Sequence, residues 1–201
     1  MPDSVGSTSW HHRHLASFHR LDALLREAAA PNPTILIVGP GAVTRVAAAL
    51  LNDAATGGVS KARKLVGDAA RYGDQLLRRI PRMPLRTLEP VELASAMTMP
   101  HRLVVADRSQ RVLSAVARQL PRAAVHCVDI SFQPIPVCAD AVVAFNVICR
   151  LENPAAGMAA VVKAVRPGGL LLMDDRSAEA HLGRFDEVVA IEPKIYRRRG
   201  P

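Results

Sequence analysis

The stretch TILIVGPGAVTRVAAALL, residues 34–51, decides how the chain is expected to fold. Residues 34–38 form an apolar, β-branched run typical of a buried strand, and Gly39, Pro40 and Gly41 then predict a turn. Apolar residues next recur at helical steps, at Val43, Val46, Ala47 and Leu50. A strand, a glycine turn and a helix in this order favour a phosphate- or nucleoside-bearing ligand, because glycine lets the backbone approach it and the helix offers free N–H groups.

Strand-like and helix-like segments alternate along the rest of the chain. Buried β runs occur at RLVVAD (102–107), AVHCVD (124–129), ADAVVAFNVI (139–148), GGLLLMDD (168–175) and DEVVAIEP (186–193). Helical patterns occupy residues 9–30, 109–120 and 153–166, and a helical insertion is expected at 55–100. The alternation predicts an α/β fold with a doubly wound, mostly parallel sheet of the Rossmann-like type and helices on both faces.

Length and composition favour one domain over residues 1–201, with residues 1–8 small, polar and outside the fold. The chain is 49% hydrophobic but only 3% aromatic, so the core must consist mainly of Ala, Val, Leu and Ile. The sequence shows no membrane span and no signal peptide, which predicts a cytoplasmic protein. Cys127, Cys138 and Cys149 adjoin apolar stretches without metal-ligand spacing, so we expect buried, reduced thiols and no metal site.

Basic residues outnumber acidic ones by 26 to 18, which gives a net charge of +8 and favours polyanionic partners. A basic helix is expected at 61–79, and further cations stand at Arg82, Arg86, Arg197, Arg198 and Arg199. These residues could contact phosphates, so RNA is one candidate partner. Stacking aromatics are scarce, however, which favours a small-molecule substrate.

In an open parallel sheet, ligands bind beyond the carboxyl ends of the strands. The candidate binding residues are therefore those that follow each strand: Gly39, Pro40, Gly41, Asp107, Arg108, Asp129, Ile130 and Asn146. The candidate catalytic residues are Asp174 and Asp175 after GGLLLM, and the histidines at 11, 12 and 14 could fold over the site from the leading helix.

Residues 104–176 resemble the class I S-adenosylmethionine-dependent methyltransferases. The likeness lies in an acid after each of two strands, Asp107 and Asp129, in IPVCADAVVAFNVICRL with Pro136 and Asp140 in place, and in VRPGGLLLM. Outside about 55–100 it extends over nearly the whole chain. A dinucleotide site is disfavoured, because Thr44 stands where G-x-G-x-x-G ends in glycine.

The resemblance implies S-adenosylmethionine (SAM) as cofactor and S-adenosylhomocysteine (SAH) as its product. Asp107 would hold both ribose hydroxyls, since a carboxylate accepts two hydrogen bonds from a diol. Asp129 and Ile130 would border the adenine. The expected activity is methyl transfer to a small molecule.

Two positions depart from the family pattern: Ile37 replaces an acid and Val43 replaces a glycine. They leave open a catalytically silent SAM-binding or interaction protein. The 55–100 insertion is expected to leave the sheet on the side away from the ligand, which favours a partner surface or a homodimer over a substrate lid.

Overall fold

The computed structural model of the chain describes residues 14–41, 43–44, 84–174 and 180–200. Its helices are α1 (Leu15–Glu27), α2 (Glu89–Ala96), α3 (Gln110–Gln119) and α4 (Pro154–Ala164), with short 3-10 turns at Ile148–Arg150 and Leu182–Arg184. Its strands are β1 (Thr34–Val38), β2 (Val43–Thr44), β3 (Leu85–Arg86), β4 (Arg102–Asp107), β5 (Ala124–Cys127), β6 (Ala139–Ala144), β7 (Val165–Met173), β8 (Val188–Glu192) and β9 (Ile195–Arg198).

Seven strands form one sheet in the order β5-β4-β1-β6-β7-β9-β8. The first five are parallel, and β9 pairs antiparallel with both β7 and β8. Asp140 fixes the register at the amino edge, where its Oδ2 accepts from the Thr34 N–H at 2.8 Å. The predicted mostly parallel α/β sheet is confirmed, and the IYRR segment near the C-terminus is an inner strand of it.

Helices cover both faces of the sheet, as predicted. On one face α1, α2 and α3 pack on the central strands through Phe18, Leu21, Leu93 and Leu113. On the other face α4 packs through buried residues such as Met158. The strands β1 and β6 are almost entirely buried, because they lie in the middle of this three-layer structure.

The leading helix is shorter than the predicted 9–30. It is seen at Leu15–Glu27, and the proposed cap Ser9 lies outside the described residues. Left-handed backbone at Ala29 (φ 50°) and Asn32 (φ 51°) ends the helix before β1. Since Glu27 is followed by β1 at the amino edge of the sheet, the first turn of α1 lies at the carboxyl edge.

A buried carboxylate joins α1 to the loop after α2. Asp22 accepts hydrogen bonds from the N–H of Thr98 at 3.0 Å, from its hydroxyl at 2.6 Å and from Arg26. Burial by itself raises the pKa of Asp22, but the bonds from Thr98 and Arg26 outweigh burial and lower the pKa to about 2. The helix is thus held by polar as well as apolar contacts.

The prediction of a helix beginning at Val43 is wrong at residues 43–44. These residues form β2, which pairs antiparallel with Leu85–Arg86 of β3, and the positions at 46, 47 and 50 lie outside the described residues. Pairing with β3 keeps the backbone extended, which overrides the local helical pattern. The segments just before and just after residues 45–83 are therefore neighbours, and they lie beside the glycine turn at the carboxyl edge of the sheet. The insertion was expected to leave from the end of the helix after the glycine turn, and since that helix lies outside the described residues, the expectation stays a prediction.

Helix α2 belongs to the core although it was predicted inside the 55–100 insertion. Leu93 and Ala96 are buried against α1 and the sheet, and Arg102 at the start of β4 donates its N–H to the Pro33 carbonyl at 2.9 Å. Among the described residues, α2 is the helix between β1 and β4 that packs on this face of the sheet. Residues 55–83 lie outside the described residues, so their basic helix and the homodimer through them stay predictions.

Two further predictions are corrected. The cysteines at 127, 138 and 149 are exposed, because they stand at the end of an edge strand, in the loop before β6 and on a 3-10 turn. The strand predicted at 139–148 ends at Ala144, where the backbone turns into the left-handed conformation at Asn146.

Glu92 on α2 offers a test of the packing of this helix. Burial raises the pKa of Glu92 to about 7, whereas an unfolded chain titrates near 4.3. Ionised Glu92 therefore costs free energy that grows as the pH rises from about 4.5 to 7. We expect Glu92→Gln to raise the free energy of unfolding in urea by about 1 to 2 kcal/mol at pH 8 and to change it little at pH 4.5. An equal change at both pH values, or no difference from the exposed control Glu152→Gln, would contradict this assignment.

Candidate functional site

A cavity of about 370 Å³ opens at the carboxyl ends of β1, β4, β5 and β6. Seven of the eight predicted binding residues line it: Gly39, Gly41, Asp107, Arg108, Asp129, Ile130 and Asn146. Pro40 is not among the lining residues. The strand ends identified in the sequence therefore meet at one cavity, which has the size of a small-molecule site.

Asp107 is held in place by the turn that follows β4. Its Oδ1 accepts from the Ser109 N–H at 2.7 Å, and Ser109 in turn caps α3 by accepting from the Val112 N–H. Burial raises the pKa of Asp107 above its usual range, although the bond from Ser109 acts in the opposite direction. No described residue hydrogen-bonds Oδ2, so the carboxylate can accept from a ligand in the cavity.

Asp129 and Arg108 form the next part of the wall. The Oδ1 of Asp129 accepts from the Ser131 N–H at 3.0 Å, and its Oδ2 lies 3.8 Å from the Arg108 guanidinium. Both side chains remain partly exposed, so the ion pair is weak and can rearrange around a ligand. The pair offers one hydrogen-bond acceptor and one cation at the same rim.

Apolar side chains form the walls between the two acids. Val112 comes from α3, Val128 and Ile130 follow β5, and Leu151 follows the 3-10 turn after β6. Together they make a slot that suits a planar ring. Of these four residues only Ile130 was predicted from the sequence; Val112, Val128 and Leu151 were not, and neither were Leu85, Ser109, Arg111, Val147 and Arg150. Apolar residues just after a strand give no signal that separates a ligand wall from core.

The glycine turn interlocks with the segment after β6. Gly39 has φ 59°, and a Cβ there would stand 2.4 Å from Val147 Cγ2. Gly41 is also left-handed at φ 65°, but a Cβ there would meet nothing within 4 Å. Gly39 is thus required by packing, whereas Gly41 leaves the backbone open to the cavity.

Asn146 has an uncommon backbone conformation at the centre of the site. Its φ is 54°, and its N–H donates to Asp174 Oδ2 at 2.8 Å. Left-handed backbone at a residue other than glycine is costly and is found preferentially at functional sites. Asp174 therefore fixes this turn, and the second catalytic candidate, Asp175, lies outside the described residues.

Gly157 on α4 lies behind the cavity wall and leaves space for the side chain of Leu151. A Cβ there would stand 2.0 Å from Leu151 Cδ1 and 3.6 Å from Ile130 Cδ1. Since the end of a leucine side chain can rotate, we expect Gly157→Ala to push Leu151 into the cavity. SAH affinity should then fall several-fold in calorimetry, while the fold survives because alanine is the better helix former. Unchanged affinity would show that Leu151 does not border the ligand, and Gly183→Ala, at an open position away from the cavity, is the control.

Ile37 offers no polar group to the site. Its side chain is fully buried among the core residues between the sheet and α1. The position of the usual acid is therefore filled by core packing, and any charged group of a ligand near Gly39 must be met by other residues.

Of the basic residues near the C-terminus, Arg198 is engaged within the fold. Arg198 donates to the carbonyls of Val162 and Val165, at 3.4 and 2.7 Å, and so caps the end of α4. Arg86 and Arg197 are exposed. The part of the predicted set at 61–79 and at position 82 lies outside the described residues.

Two features are absent from residues 14–41, 43–44, 84–174 and 180–200. In these ranges no group of three or more His, Cys, Asp or Glu side chains is placed to hold a metal ion. Within the same ranges, no helix combines the length and the apolar character needed to cross a membrane.

Residues 89–173 match the family described as Methyltransferase domain. This segment begins at α2 and ends with β7, so it contains Asp107, Asp129, Asn146 and the RPGG entry to β7. The comparison with curated proteins gives no match.

Several solved structures are similar to the chain at low sequence identity. The plantazolicin methyltransferase BpumL with bound SAH is 13% identical and has a TM-score of 0.47, with 86% of this chain and 51% of that chain covered. CalS10, an amino pentose methyltransferase from Micromonospora echinaspora with bound SAM, is 17% identical and has a TM-score of 0.46, with 84% of this chain and 52% of that chain covered. The N-methyltransferase NodS from Bradyrhizobium japonicum WM9 with SAH is 15% identical and has a TM-score of 0.44, with 88% of this chain and 72% of that chain covered. The chain spans about half the length of the first two proteins, and no residue role is transferred from any of them.

Proposed function

We propose, because residues 89–173 match the Methyltransferase domain family, that the chain is a class I SAM-dependent methyltransferase that methylates a small-molecule acceptor. The observation that carries the proposal is the placement of Asp107 and Asp129 in one cavity with the glycine turn. An adenosine moiety carries a ribose diol and an exocyclic amine, and a carboxylate can accept hydrogen bonds from each of them.

The residues present suit SAM on three structural grounds. Asp107 has an oxygen that no described residue hydrogen-bonds, the apolar slot between Val112, Val128 and Leu151 suits adenine, and Gly41 leaves open space over the turn. Asp107 would hold the ribose, and Asp129 would accept from the adenine amino group. The glycine turn and Asn146 would border the methionine end. The cofactor, when bound, supplies a methyl group on a positively charged sulfur.

The contribution of the protein to such a reaction is alignment. Methyl transfer needs a nucleophile in line behind the methyl group, and positioning alone can supply much of the rate acceleration. Asn146, fixed by Asp174, and Gly39, fixed by Val147, define the end of the cavity where the acceptor must enter. Core packing between β1, β6 and α4 keeps these turns rigid.

A small acceptor is favoured over RNA on two observations. Arg198 is engaged in capping α4 rather than exposed as part of a phosphate-binding surface. The strand-end sequence Asn146-Val147-Ile148-Cys149 lacks the prolines and aromatic residue that clamp a planar amine in the adenine and glutamine methyltransferases of this fold.

Methyl-labelled SAM tests the acceptor class directly. The protein is incubated with labelled SAM and with separate fractions of a cell extract: a filtrate of small molecules, total RNA and total protein. Transfer of label into the filtrate supports the proposal. Transfer into RNA or protein would overturn the acceptor class while leaving SAM binding intact.

The buried Ile37 favours one second function, a SAM-binding protein without catalysis. An acid at that position would meet the charged amino group of the ligand, and here the position is closed within the core. In that case SAH would bind by calorimetry while no fraction became labelled. Labelling of any fraction would eliminate this alternative.

A further inference from the structure

Arg150 is the cation that the segment after β6 contributes to the cavity. It lines the cavity and is the last residue of the 3-10 turn Ile148–Arg150. This turn has a fixed position, because Ile148 is fully buried and the N–H of Arg150 donates to the Val147 carbonyl at 3.0 Å. Arg150 itself is exposed. A well-anchored backbone therefore holds an accessible guanidinium at the rim of the cavity.

The guanidinium of Arg150 has no counter-ion within the fold. In the part of the chain that the structure describes, no side chain hydrogen-bonds or ion-pairs with it. The two acids of the cavity have other partners, since Asp107 accepts from the turn after β4 and Asp129 lies 3.8 Å from the Arg108 guanidinium. Arg111 also lines the cavity, but it has an interaction of its own. Of the cations in the described wall, Arg150 is therefore the one left for a ligand.

The segment that carries Arg150 runs along the wall of the cavity. Arg150 lies between Val147, which packs on Gly39, and Leu151, which lies near Ile130. In the sheet, β4 and β6 lie on opposite sides of β1. Arg150 and the acid that follows β4 thus approach the cavity from opposite sides.

SAM in the proposed pose leaves this cation without a partner. Its adenosine carries no negative charge, and its methionine carboxylate lies at the glycine turn, at the Val147 end of the segment. Because a single methylene joins the sulfur to the ribose, the methyl group lies between the acid after β4 and the segment after β6. A cation that is desolvated there by an incoming acceptor costs free energy unless the acceptor supplies an anion.

We propose that Arg150 binds an oxyanion of the acceptor, a carboxylate or a phosphate, so that the small-molecule substrate of this site is an acid. A guanidinium suits such a group because its planar fork donates two parallel hydrogen bonds. The net charge of +8 also favours the approach of anions. This inference rests on the proposed function, and it narrows the acceptor from any small molecule to the anionic ones.

Anion exchange of the small-molecule filtrate tests the acceptor class. The filtrate is separated at neutral pH into a bound, anionic fraction and an unbound one, and each is incubated with the protein and methyl-labelled SAM. Label in the anionic fraction supports the proposal. Treatment of that fraction with a phosphatase beforehand then identifies the group, since labelling is lost for a phosphate and kept for a carboxylate. Label in the unbound fraction alone would overturn the proposal while the proposed function stands, and no label in either fraction would refute the proposed function.

Arg150→Gln tests the residue itself. The amount of anionic fraction that gives half the maximal rate should rise about tenfold or more, because a charge-assisted hydrogen bond is lost. SAH affinity in calorimetry should not change, and this measurement also shows that the variant folds. Arg150→Lys keeps the charge without the planar fork and should lie between the two. Arg122→Gln, at an exposed arginine outside the cavity, is the control and should behave as the wild type does.

Two results with Arg150→Gln would contradict the proposal. An unchanged half-saturating amount would show that the acceptor does not meet this residue. A fall in SAH affinity as large as the change in the half-saturating amount would show that Arg150 binds the methionine carboxylate of the cofactor instead.

Discussion

Replacing Asp107 with alanine is expected to weaken SAM and SAH binding roughly ten- to hundredfold. The carboxylate lies in the cavity with one oxygen on Ser109 and the other open to ligand. Loss of charged hydrogen bonds of this kind costs on the order of 1.5 to 3 kcal/mol. The measurement is calorimetric titration with SAH, and Asp186→Ala, an exposed acid outside the cavity, is the control. Unchanged affinity would show that the ribose acid is misplaced.

The pH dependence of binding shows whether the negative charge of Asp107, rather than the shape of its side chain, holds the ligand. A ligand that donates to the carboxylate binds its ionised form, so affinity should be full at neutral pH and fall as the pH drops below the pKa of the empty site. Because burial raises the pKa of Asp107, the fall should begin at a higher pH than for an ordinary aspartate. Asp107→Asn should bind SAH weakly at every pH and should be at least as stable as the wild type at pH 7. A wild-type affinity that is flat in acid would contradict this role.

Replacing Gly39 with alanine is expected to disrupt the fold around the site. The new Cβ would collide with Val147 and would occupy left-handed backbone. Overpacking of this kind costs about 1 to 3 kcal/mol, and the backbone strain adds about 1 to 2 kcal/mol. Urea unfolding should therefore show a loss of about 2 to 5 kcal/mol, accompanied by loss of SAH binding.

Two further variants assign that loss to the collision. Gly41→Ala has the same backbone strain but open space around the Cβ, so it should cost only about 1 to 2 kcal/mol. Val147→Ala in the Gly39→Ala background should restore part of the stability, with a coupling energy of about 1 kcal/mol or more. Equal losses for Gly39→Ala and Gly41→Ala would show that the contact with Val147 does not matter.

The fold could be predicted because its signals are local and repeated. Apolar runs such as RLVVAD and VRPGGLLLM become buried central strands, and Ser109 and Asn153 cap α3 and α4 with their side chains. Even the family-like Asp140 has a physical reason, since it fixes the start of β1 at the amino edge of the sheet.

What could not be predicted depends on contacts between distant residues. The pairing of β2 with β3 joins positions 43 and 86, and it overrides a helical pattern that the sequence shows clearly. The cysteines adjoin apolar residues yet are exposed, because edge strands and turns bury only one side of the chain. Leu151 becomes a cavity wall only because Gly157 lets α4 approach it.

Of the residues that line the cavity, the sequence predicted the acids Asp107 and Asp129 but only Ile130 among the apolar walls. Asp107 and Asp129 stood out because each directly follows a predicted strand. Val112, Val128 and Leu151 come from three separate parts of the chain. Their meeting at one cavity follows from tertiary packing, and no spacing in the sequence encodes it.

Calorimetric titration of the wild-type chain with SAH, SAM and NAD tests the central claim most directly. The claim is that the cavity formed by Asp107, Asp129 and the glycine turn is a SAM site. It predicts one-to-one binding of SAH and SAM, and no binding of NAD at the same concentrations. Binding of NAD alone, or no binding of either adenosyl ligand, would contradict it.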